Sequence, residues 1–111
     1  EMFRAMRIAG AQAFVIPSGW PVPRIRQWDA LLPARAVENQ AWVIACNQIG
    51  AQGRHHLGGS SVIIDPLGNV LAQGGETETV LGAEIEIQIG KDWRAEFPAI
   101  DDLVDSPVIT V

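Results

Sequence analysis

The spacing of apolar and polar positions predicts two amphipathic helices. Apolar residues recur every three or four positions over residues 1–10 and again over residues 24–40, which is the period of one helix face. Gly10 is expected to end the first helix. Pro33 lies inside the second and clashes with the carbonyl of Asp29, so we expect a kink between these residues or a helix that restarts with Pro33 in its first turn. The predicted apolar stripe of the second helix consists of Ile25, Trp28, Leu31, Leu32 and Val37.

Two continuous apolar runs predict strands. AFVIP at 13–17 and WVIAC at 42–46 show no polar alternation, and such runs are typical of strands buried on both faces. Residues 18–23 contain a glycine and two prolines and are interpreted as a loop. Residues 61–65 and 69–72 flank a Pro-Leu-Gly turn, so they predict a hairpin.

The remaining segments carry weaker signals. Residues 48–58 are polar and contain glycines, which predicts a loop, and the alternation over 80–87 predicts a half-solvated strand. Residues 92–104 are weakly helical and interrupted by Pro98, while 106–111 carry no signal. The resulting order α-β-α-β-β-β-β-α is that of a layered α/β or α+β fold, in one domain or part of one.

Composition narrows the class of protein. Of the 111 residues, 48% are hydrophobic and 19% are charged, as in globular proteins. The net charge of −5 and the single lysine argue against nucleic acid as a partner, because phosphate binding requires clustered cations. No apolar run approaches the ~20 residues of a membrane span, so no membrane partner is expected. A single cysteine forms no internal disulfide, which favours a cytoplasmic location.

Cys46, His55 and His56 carry the most evident reactive groups. A Cys–His pair could make Cys46 a nucleophile. Its position inside an apolar strand, without a glycine elbow or a helix N-terminus beside it, is more typical of a buried small hydrophobe, and we prefer that interpretation. His55 and His56 are adjacent on the chain and have no carboxylate or cysteine at ligand spacing. No metal site is therefore expected.

Other polar residues are predicted to be structural. Arg35 and Glu38 are three positions apart on a helix and can form an ion pair, which in a packed helix would fix the helix against the sheet. Asn39 and Asn47 are expected to satisfy backbone groups in the turns that flank the second strand. Trp20 follows the end of a strand, where layered α/β folds bind ligands. Pocket lining and simple packing are equally open for Trp20.

The order of the motifs resembles the carbon–nitrogen hydrolase (nitrilase) family. Residues 31–40 read Leu-Leu-x-Ala-Arg-Ala-x-Glu-Asn-Gln, and an apolar strand and then Asn47-x-x-Gly50 follow. Residues 59–68 are similar to the hairpin common to the family, and Glu1 resembles the last residue of its nucleophile motif, Cys-Tyr-Asp-x-Arg-Phe-Pro-Glu. The segments that most resemble the omega-amidase branch are residues 20–24, Trp28 with the motif at 31–40, and residues 46–50 and 94–98.

The resemblance implies an α-β-β-α sandwich with a Glu-Lys-Cys triad. In this chemistry the glutamate is the general base, the cysteine attacks the amide carbon and the lysine stabilises the oxyanion. The nucleophile would lie seven residues before Glu1, and the only lysine, Lys91, matches no catalytic position. Residues 1–111 are thus interpreted as the C-terminal part of one carbon–nitrogen hydrolase domain, inactive alone and without cofactor or metal. Gln27 stands where many relatives have a histidine.

The resemblance also implies a substrate and partners. Omega-amidases hydrolyse monoamides of 2-oxo dicarboxylic acids to the acid and ammonia, and an anionic substrate calls for an arginine. Arg24, next to the Trp20 loop, is the candidate, although a solvated surface arginine is equally open. The expected partners are the N-terminal half of the domain, the small amide and a second copy of the chain packed through helices 1–10 and 24–40 as a homodimer or higher homo-oligomer. The alternative is a non-catalytic dimerisation or interaction module; the start of the chain within a helix favours the enzyme.

Overall fold

The computed structural model describes residues 1–104 and contains three helices and six strands in this range. Their mixture confirms the predicted α/β class. The weak segment 106–111 lies outside the described residues. The elements are α1 (Met2–Ile8), β1 (Ala13–Ser18), a 3-10 turn (Val22–Arg24), α2 (Ile25–Asn39), β2 (Trp42–Asn47), β3 (Ile49–Gln52), β4 (His55–Gly58), β5 (Val62–Ile64), β6 (Val70–Gln73) and α3 (Ile87–Glu96).

Four of the strands form one sheet in the order β1-β2-β5-β6. The β1–β2 pair is parallel, whereas β5 and β6 continue the sheet in antiparallel pairs. A parallel pair needs a crossover connection, and α2 supplies it. As a result, the carboxyl ends of β1 and β2 meet at one edge, where Ser18 stands opposite Asn47.

The core lies between one face of this sheet and the helices. Side chains of α2 face the sheet through Trp28, Leu32 and Ala36, all of which are buried. Leu31 and Val37 were expected in the same stripe, but they are 41% and 49% exposed. A helix that packs on a single sheet buries a narrower stripe than the sequence pattern suggests. The sheet residues of the buried cluster are Phe14, Val43, Ala45, Val62 and Ile64.

Helix α2 accommodates its proline without restarting. It runs unbroken from Ile25 to Asn39 with Pro33 inside, so the predicted restart at Pro33 is wrong. The helix ends where Gln40 adopts a left-handed conformation with φ 48°. The first helix is shorter than residues 1–10, because it ends at Ile8 before Gly10, whose φ is +102°.

The second face of the sheet is open at β1 and covered at Ile63 of β5, which corrects the expectation that the two apolar runs are buried on both faces. Side chains alternate across a strand, and Val15, Ile44 and Ile63 stand side by side in register on this face. Val15 is 72% exposed. Cys46, expected to be a buried hydrophobe, is also exposed. The helix layer covers only the opposite face, so the continuous apolar pattern correctly identified strands but overstated their burial.

Residues 48–58 form a hairpin rather than the predicted loop. Strands β3 and β4 pair from Ile49↔Gly58 to Gln52↔His55 in a separate two-stranded sheet. Gly53 opens the two-residue turn with φ +59°, a conformation that glycine adopts without steric cost. Most of the hairpin side chains are exposed, and a solvated hairpin carries no apolar alternation that would reveal it. The hairpin predicted further along the chain is present as β5 and β6, with shorter strands.

The strand predicted over 80–87 is absent. Residues 80–86 have no regular structure, Val80 is 96% exposed, and α3 begins at Ile87. Alternation describes only side chains, and among residues 1–104 this segment pairs with no strand backbone. Helix α3 ends at Glu96, two residues before Pro98, in accord with the expected interruption there. No helix within the described part of the chain is long and apolar enough to cross a bilayer.

Candidate functional site

The candidate site lies where the parallel strands β1 and β2 end. Residues 18–23 leave β1 at this edge, and the backbone N–H of Gln48 donates to the carbonyl of Ser18 across the two strand ends, 3.0 Å away. The base of the β3–β4 hairpin closes on the same loop, since the N–H of Gly58 donates to the carbonyl of Trp20 at 2.9 Å. Loops at the carboxyl ends of parallel strands are where layered α/β folds place ligand contacts.

Asn47 is the buried polar residue at the centre of this edge. Its side chain is 4% exposed. Its Oδ1 accepts the backbone N–H of Trp20 at 2.6 Å, and its Nδ2 donates to the carbonyls of Trp20 at 3.1 Å and Gly59 at 2.7 Å. The Ser61 hydroxyl accepts the backbone N–H of Asn47 at 3.0 Å. Each carboxamide hydrogen therefore has an acceptor, as a buried amide requires.

Trp20 and Arg24 form one unit beside Asn47. The Trp20 ring packs against Trp28, with the ring centres 5.8 Å apart and the planes tilted by 46°. The Trp20 indole N–H donates to the carbonyl of Arg24. The guanidinium carbon of Arg24 lies 5.6 Å from the centre of the Trp20 ring, within the range of a cation–π contact. Arg24 is exposed, so it can reach a ligand from this position.

The turn at Gly59 and Ser60 is held in an uncommon conformation. Both residues have left-handed φ values, +57° and +59°, which for a non-glycine residue such as Ser60 costs about 1–3 kcal/mol. The carbonyl of Gly59 accepts from Asn47, and the carbonyl of Ser60 accepts from the Trp28 indole at 2.8 Å. A Cβ at Gly59 would lie 2.2 Å from the carbonyl oxygen of Gly75, so no side chain fits there.

Two cavities flank the strand ends. One has a volume of about 210 Å³ and lies between α1, β1 and α2, where Trp20, Trp28 and Ile16 line it. The other has a volume of about 300 Å³ and is bounded by Asn47, Gln48 and the loop that follows β6. Trp20 thus lines a cavity and also packs against another aromatic ring. Both interpretations of this residue are met in the geometry, and a substrate-binding role remains a prediction.

The structure does not bring Cys46 and the histidines into a reactive group. Cys46 is on the open face of the sheet, while His55 and His56 are exposed on β4. No hydrogen bond joins them within residues 1–104, and the described chain contains no group of three His, Cys, Asp or Glu side chains that could hold a metal ion. The thiol of Cys46 is thus exposed, and among residues 1–104 it has no hydrogen bond to a side chain that could act as its base.

The remaining predicted residues lie on the helix layer. Arg35 and Glu38 form an ion pair, with their side chains 33% and 42% exposed, and the Arg35 guanidinium carbon is 5.6 Å from the centre of the Phe3 ring of α1. The pair lies within α2 at its surface and Arg35 contacts α1, so these contacts are with the helix layer and not, as expected, with the sheet. The Nδ2 of Asn39 donates to the carbonyl of Arg35 at 2.9 Å. Glu1 stands at the start of α1 without a side-chain capping bond.

Two further positions from the sequence interpretation lie on exposed helix surfaces. Gln27 is exposed near the start of α2, and Lys91 is exposed on α3. Neither contacts the strand ends through a hydrogen bond in the described part of the chain. No role in the candidate site is assigned to either residue.

Sequence reasoning missed the parts played by Trp28, Gly59 and Ser60. Trp28 belongs to an apolar helix stripe, and nothing in that pattern indicates that its indole N–H bonds the turn before β5. The Gly59-Ser60-Ser61 triplet marks a turn, but the hydrogen bonds to its carbonyls come from Asn47, 12 residues from Gly59, and from Trp28, 32 residues from Ser60. The nearest available signal was the glycine pair at 58–59, since adjacent glycines indicate close backbone approach.

Comparison with known proteins places the chain in a family. The sequence profile of the carbon–nitrogen hydrolases matches residues 1–95. A 2-oxoglutaramate amidase of Bacillus subtilis (strain 168) is 43% identical over 103 residues, which cover 93% of this chain and 40% of the relative. The omega-amidase YafV of Escherichia coli (strain K12) is 40% identical over 87 residues, covering 77% of this chain and 34% of that protein.

The fold agrees with the sequence similarity. The crystal structure of the C. elegans NitFhit protein superposes with a TM-score of 0.87 at 33% identity, and the match covers 92% of this chain and 25% of that chain. The chain spans less than half the length of each of these relatives. With its profile match over most of its length and its similarity to omega-amidases, the chain belongs to the carbon–nitrogen hydrolase family.

Proposed function

We propose that the chain is part of a thiol-dependent amidase that hydrolyses a terminal amide of a 2-oxo dicarboxylic acid monoamide to the acid and ammonia. The 2-oxoglutaramate amidase and the omega-amidase among its relatives support this substrate class. The observation that carries the proposal within the chain is the Trp20–Arg24 unit. It sets an exposed guanidinium against an aromatic wall where β1 ends.

The covalent chemistry is assigned to the part of the domain that precedes Glu1. In the reaction that the family resemblance implies, a glutamate takes the proton of a cysteine thiol and the sulfur attacks the amide carbon. A lysine stabilises the tetrahedral oxyanion, which collapses to a thioester as the nitrogen is protonated and leaves as ammonia. Water then attacks the thioester, which releases the carboxylic acid and restores the thiol.

The proposed contribution of this chain is substrate binding. The ring of Trp20 lines the cavity of about 210 Å³, and an aromatic wall suits the short carbon chain of such a substrate. Arg24 would pair with the distal carboxylate by a charge-assisted hydrogen bond, for which the planar guanidinium is well shaped. The stack on Trp20 restricts the arginine side chain, so less of its freedom is lost when the carboxylate binds.

The open face of the sheet supports the assignment of residues 1–111 to part of one domain. Val15, Ile44 and Ile63 form an apolar row across three strands, and Val15 is 72% exposed. Two sheets that pack face to face bury such rows against each other. We therefore propose that the N-terminal half of the same domain covers this face and completes an α-β-β-α sandwich in a cytoplasmic enzyme.

The helix layer is proposed as the surface for a second copy of the chain. Met2 and Ile8 of α1 are 66% and 63% exposed, and Leu31 and Val37 of α2 are also exposed. A two-fold contact is self-complementary, so these apolar residues would meet their own copies in a homodimer. Light scattering of the full-length protein at micromolar concentration tests this, and a monomer would contradict it.

A non-catalytic interaction module is the second candidate, and the exposed apolar residues of the helix layer favour it. Ammonia release from 2-oxoglutaramate separates the two. We expect turnover by the full-length protein and none by residues 1–111 alone. Full-length protein that assembles but releases no ammonia would favour the interaction module, and turnover by residues 1–111 alone would overturn the assignment of the triad to the preceding segment.

A further inference from the structure

Asn47 is the last residue of β2, and its side chain also binds two other segments, the loop after β1 and the turn before β5. Its buried carboxamide accepts the Trp20 N–H at 2.6 Å and donates to the Trp20 carbonyl at 3.1 Å and the Gly59 carbonyl at 2.7 Å. A strand end needs no such bonds, because β2 is already paired with β1 and β5. The side chain therefore fixes the loop after β1 and the turn before β5 relative to β2.

The contacts of Asn47 belong to a closed circuit. Gly59 is followed by Ser60, whose carbonyl accepts from the Trp28 indole at 2.8 Å. The Trp28 ring packs at 5.8 Å from the Trp20 ring. Asn47 thus holds the backbone of Trp20, and Trp28 packs against its ring. Asn47 and Trp28 both donate hydrogen bonds to the Gly59–Ser60 turn.

Arg24 is connected to this circuit through Trp20. Its carbonyl accepts the Trp20 indole N–H, and its guanidinium lies over the Trp20 ring at 5.6 Å. We propose that Asn47 is a positioning residue for substrate binding, which fixes Trp20 and thereby places Arg24 where the distal carboxylate of the substrate binds. The substrate part of this inference depends on the proposed function, whereas the positioning of Trp20 does not.

Aspartate is the informative substitution at this position. Asn47→Asp keeps the size of the side chain and the acceptor for the Trp20 N–H, but a carboxylate cannot donate to the two carbonyls. The matched control is Ser61→Ala, because the Ser61 hydroxyl contacts the backbone of Asn47 and not its carboxamide. Any general loosening of the strand end appears in both variants, whereas loss of the positioning bonds appears in Asn47→Asp alone.

The kinetic test compares an anionic and a neutral substrate on the full-length protein. For Asn47→Asp we expect kcat/KM for 2-oxoglutaramate to fall at least tenfold more than kcat/KM for pentanamide, mainly through KM. The two losses should stay within twofold of each other for Ser61→Ala. In a Trp20→Ala background, Asn47→Asp should add less than a twofold loss, because the residue it positions is gone. Equal losses on both substrates, or additive losses in the double variant, would overturn the proposal.

A second test needs no turnover. With ¹⁵N-labelled tryptophan, Trp20→Phe assigns the Trp20 indole signal, and its hydrogen exchange is measured in each full-length variant. Asn47→Asp should speed the exchange of the Trp20 indole at least tenfold, and Ser61→Ala should change it less than twofold. The indole of Trp93, which lies on α3 away from the bonds of Asn47, is the internal reference. An unchanged Trp20 indole in Asn47→Asp would contradict the positioning role even if the amidase activity were absent, whereas an inactive wild-type protein with a responsive Trp20 would count against the proposed function alone.

Discussion

Arg94 donates a hydrogen bond of 2.7 Å to the carbonyl of Gln40, and this bond ties α3 to the C-terminal end of α2. In return, the Nε2 of Gln40 donates to the carbonyl of Phe97 at 2.7 Å. Burial is the main cause that lowers the pKa of Arg94 from its ordinary value, and the nearby Arg7 adds to it. A cation at a helix C-terminus is stabilised by the helix dipole, so Arg94 serves as the anchor of a segment that otherwise has few contacts.

Arg94→Ala should destabilise the full-length protein. We expect the free energy of unfolding to fall by about 1–2 kcal/mol, since a partly buried charged donor is lost. Lys91→Ala on the same helix is the control, because Lys91 is exposed and should change stability by less than about 0.5 kcal/mol. Urea denaturation followed by fluorescence measures both. Equal effects of the two substitutions would mean that the bond to Gln40 contributes nothing measurable.

Gly59→Ala should be among the most damaging substitutions in the chain. The added Cβ would meet the Gly75 carbonyl at 2.2 Å and would sit at φ +57°, and strain plus overpacking of this kind costs about 2–4 kcal/mol. Gly75→Ala is the matched control, because a Cβ there has no neighbour within 4 Å. In thermal unfolding, Gly59→Ala should have a clearly lower melting temperature than Gly75→Ala. Similar melting temperatures would show that the turn can relax.

Val15→Asp should improve the solubility of the isolated chain and reduce the stability of the full-length protein. On residues 1–111 alone it should raise solubility, because Val15 is 72% exposed on an apolar face. If the rest of the domain covers that face, the full-length protein should lose about 3 kcal/mol or more of stability through a buried unpaired charge. Leu67→Asp, in the turn between β5 and β6, serves as the control. Full-length Val15→Asp with unchanged stability would contradict the proposed sandwich.

Cys46→Ala should leave most of the proposed amidase activity of the full-length protein intact. Within the described part of the chain, no hydrogen bond joins the thiol to a histidine or carboxylate that could act as its base. If the rest of the domain covers the open face and buries Cys46, the substitution should cost about 1 kcal/mol of stability. Turnover and melting temperature are measured together on the full-length variant. Complete loss of turnover with a normal melting curve would identify Cys46 as the nucleophile.

Arg24→Ala should discriminate between substrates. An amide with a distal carboxylate should lose about ten- to a hundredfold in kcat/KM, the equivalent of a charge-assisted hydrogen bond of about 1.5–3 kcal/mol, whereas a neutral amide of equal length should be unaffected. Arg26→Ala removes an exposed arginine two residues further on, in the first turn of α2, and serves as the control. A similar loss on both substrates would make Arg24 structural and would direct the search for the carboxylate site to the preceding part of the domain.

The sequence predicted those helices and strands that bury one face, because burial leaves a regular pattern of apolar residues. The α2 stripe around Trp28 and Leu32 and the runs that became β1 and β2 are of this kind. Burial of Val15 was predicted wrongly, because a continuous apolar run signals cover on both faces, while residues 1–104 leave the second face uncovered at Val15. The β3–β4 hairpin was missed because a solvated hairpin needs only a suitable turn at Gly53 and backbone pairing.

The candidate site was predictable in its location and not in its connections. Trp20 was expected at the end of a strand because of the order of apolar run, glycine and prolines. The bonds of Asn47 to Trp20 and Gly59 depend on where the pairing of β2 with β1 and with β5 brings residues 27 and 12 positions away. No local pattern encodes such distances. Long-range register determines them, and it appears only when the sheet is assembled.

The circuit through Trp20, Trp28, Asn47 and the Gly59–Ser60 turn has a consequence for synthesis on the ribosome. Its members enter the nascent chain in that order, and the circuit cannot close until residue 60 has left the exit tunnel. Until then the β1–α2–β2 crossover has its helix and two strands but lacks the turn that holds both indole rings. Chains emerge at about 5–20 residues per second, so a few seconds pass between the emergence of Arg24 and that of Ser60. During this interval the loop that carries Arg24 lacks the contacts that fix its position. The candidate site is therefore completed late, by the same step that adds β5 to the sheet.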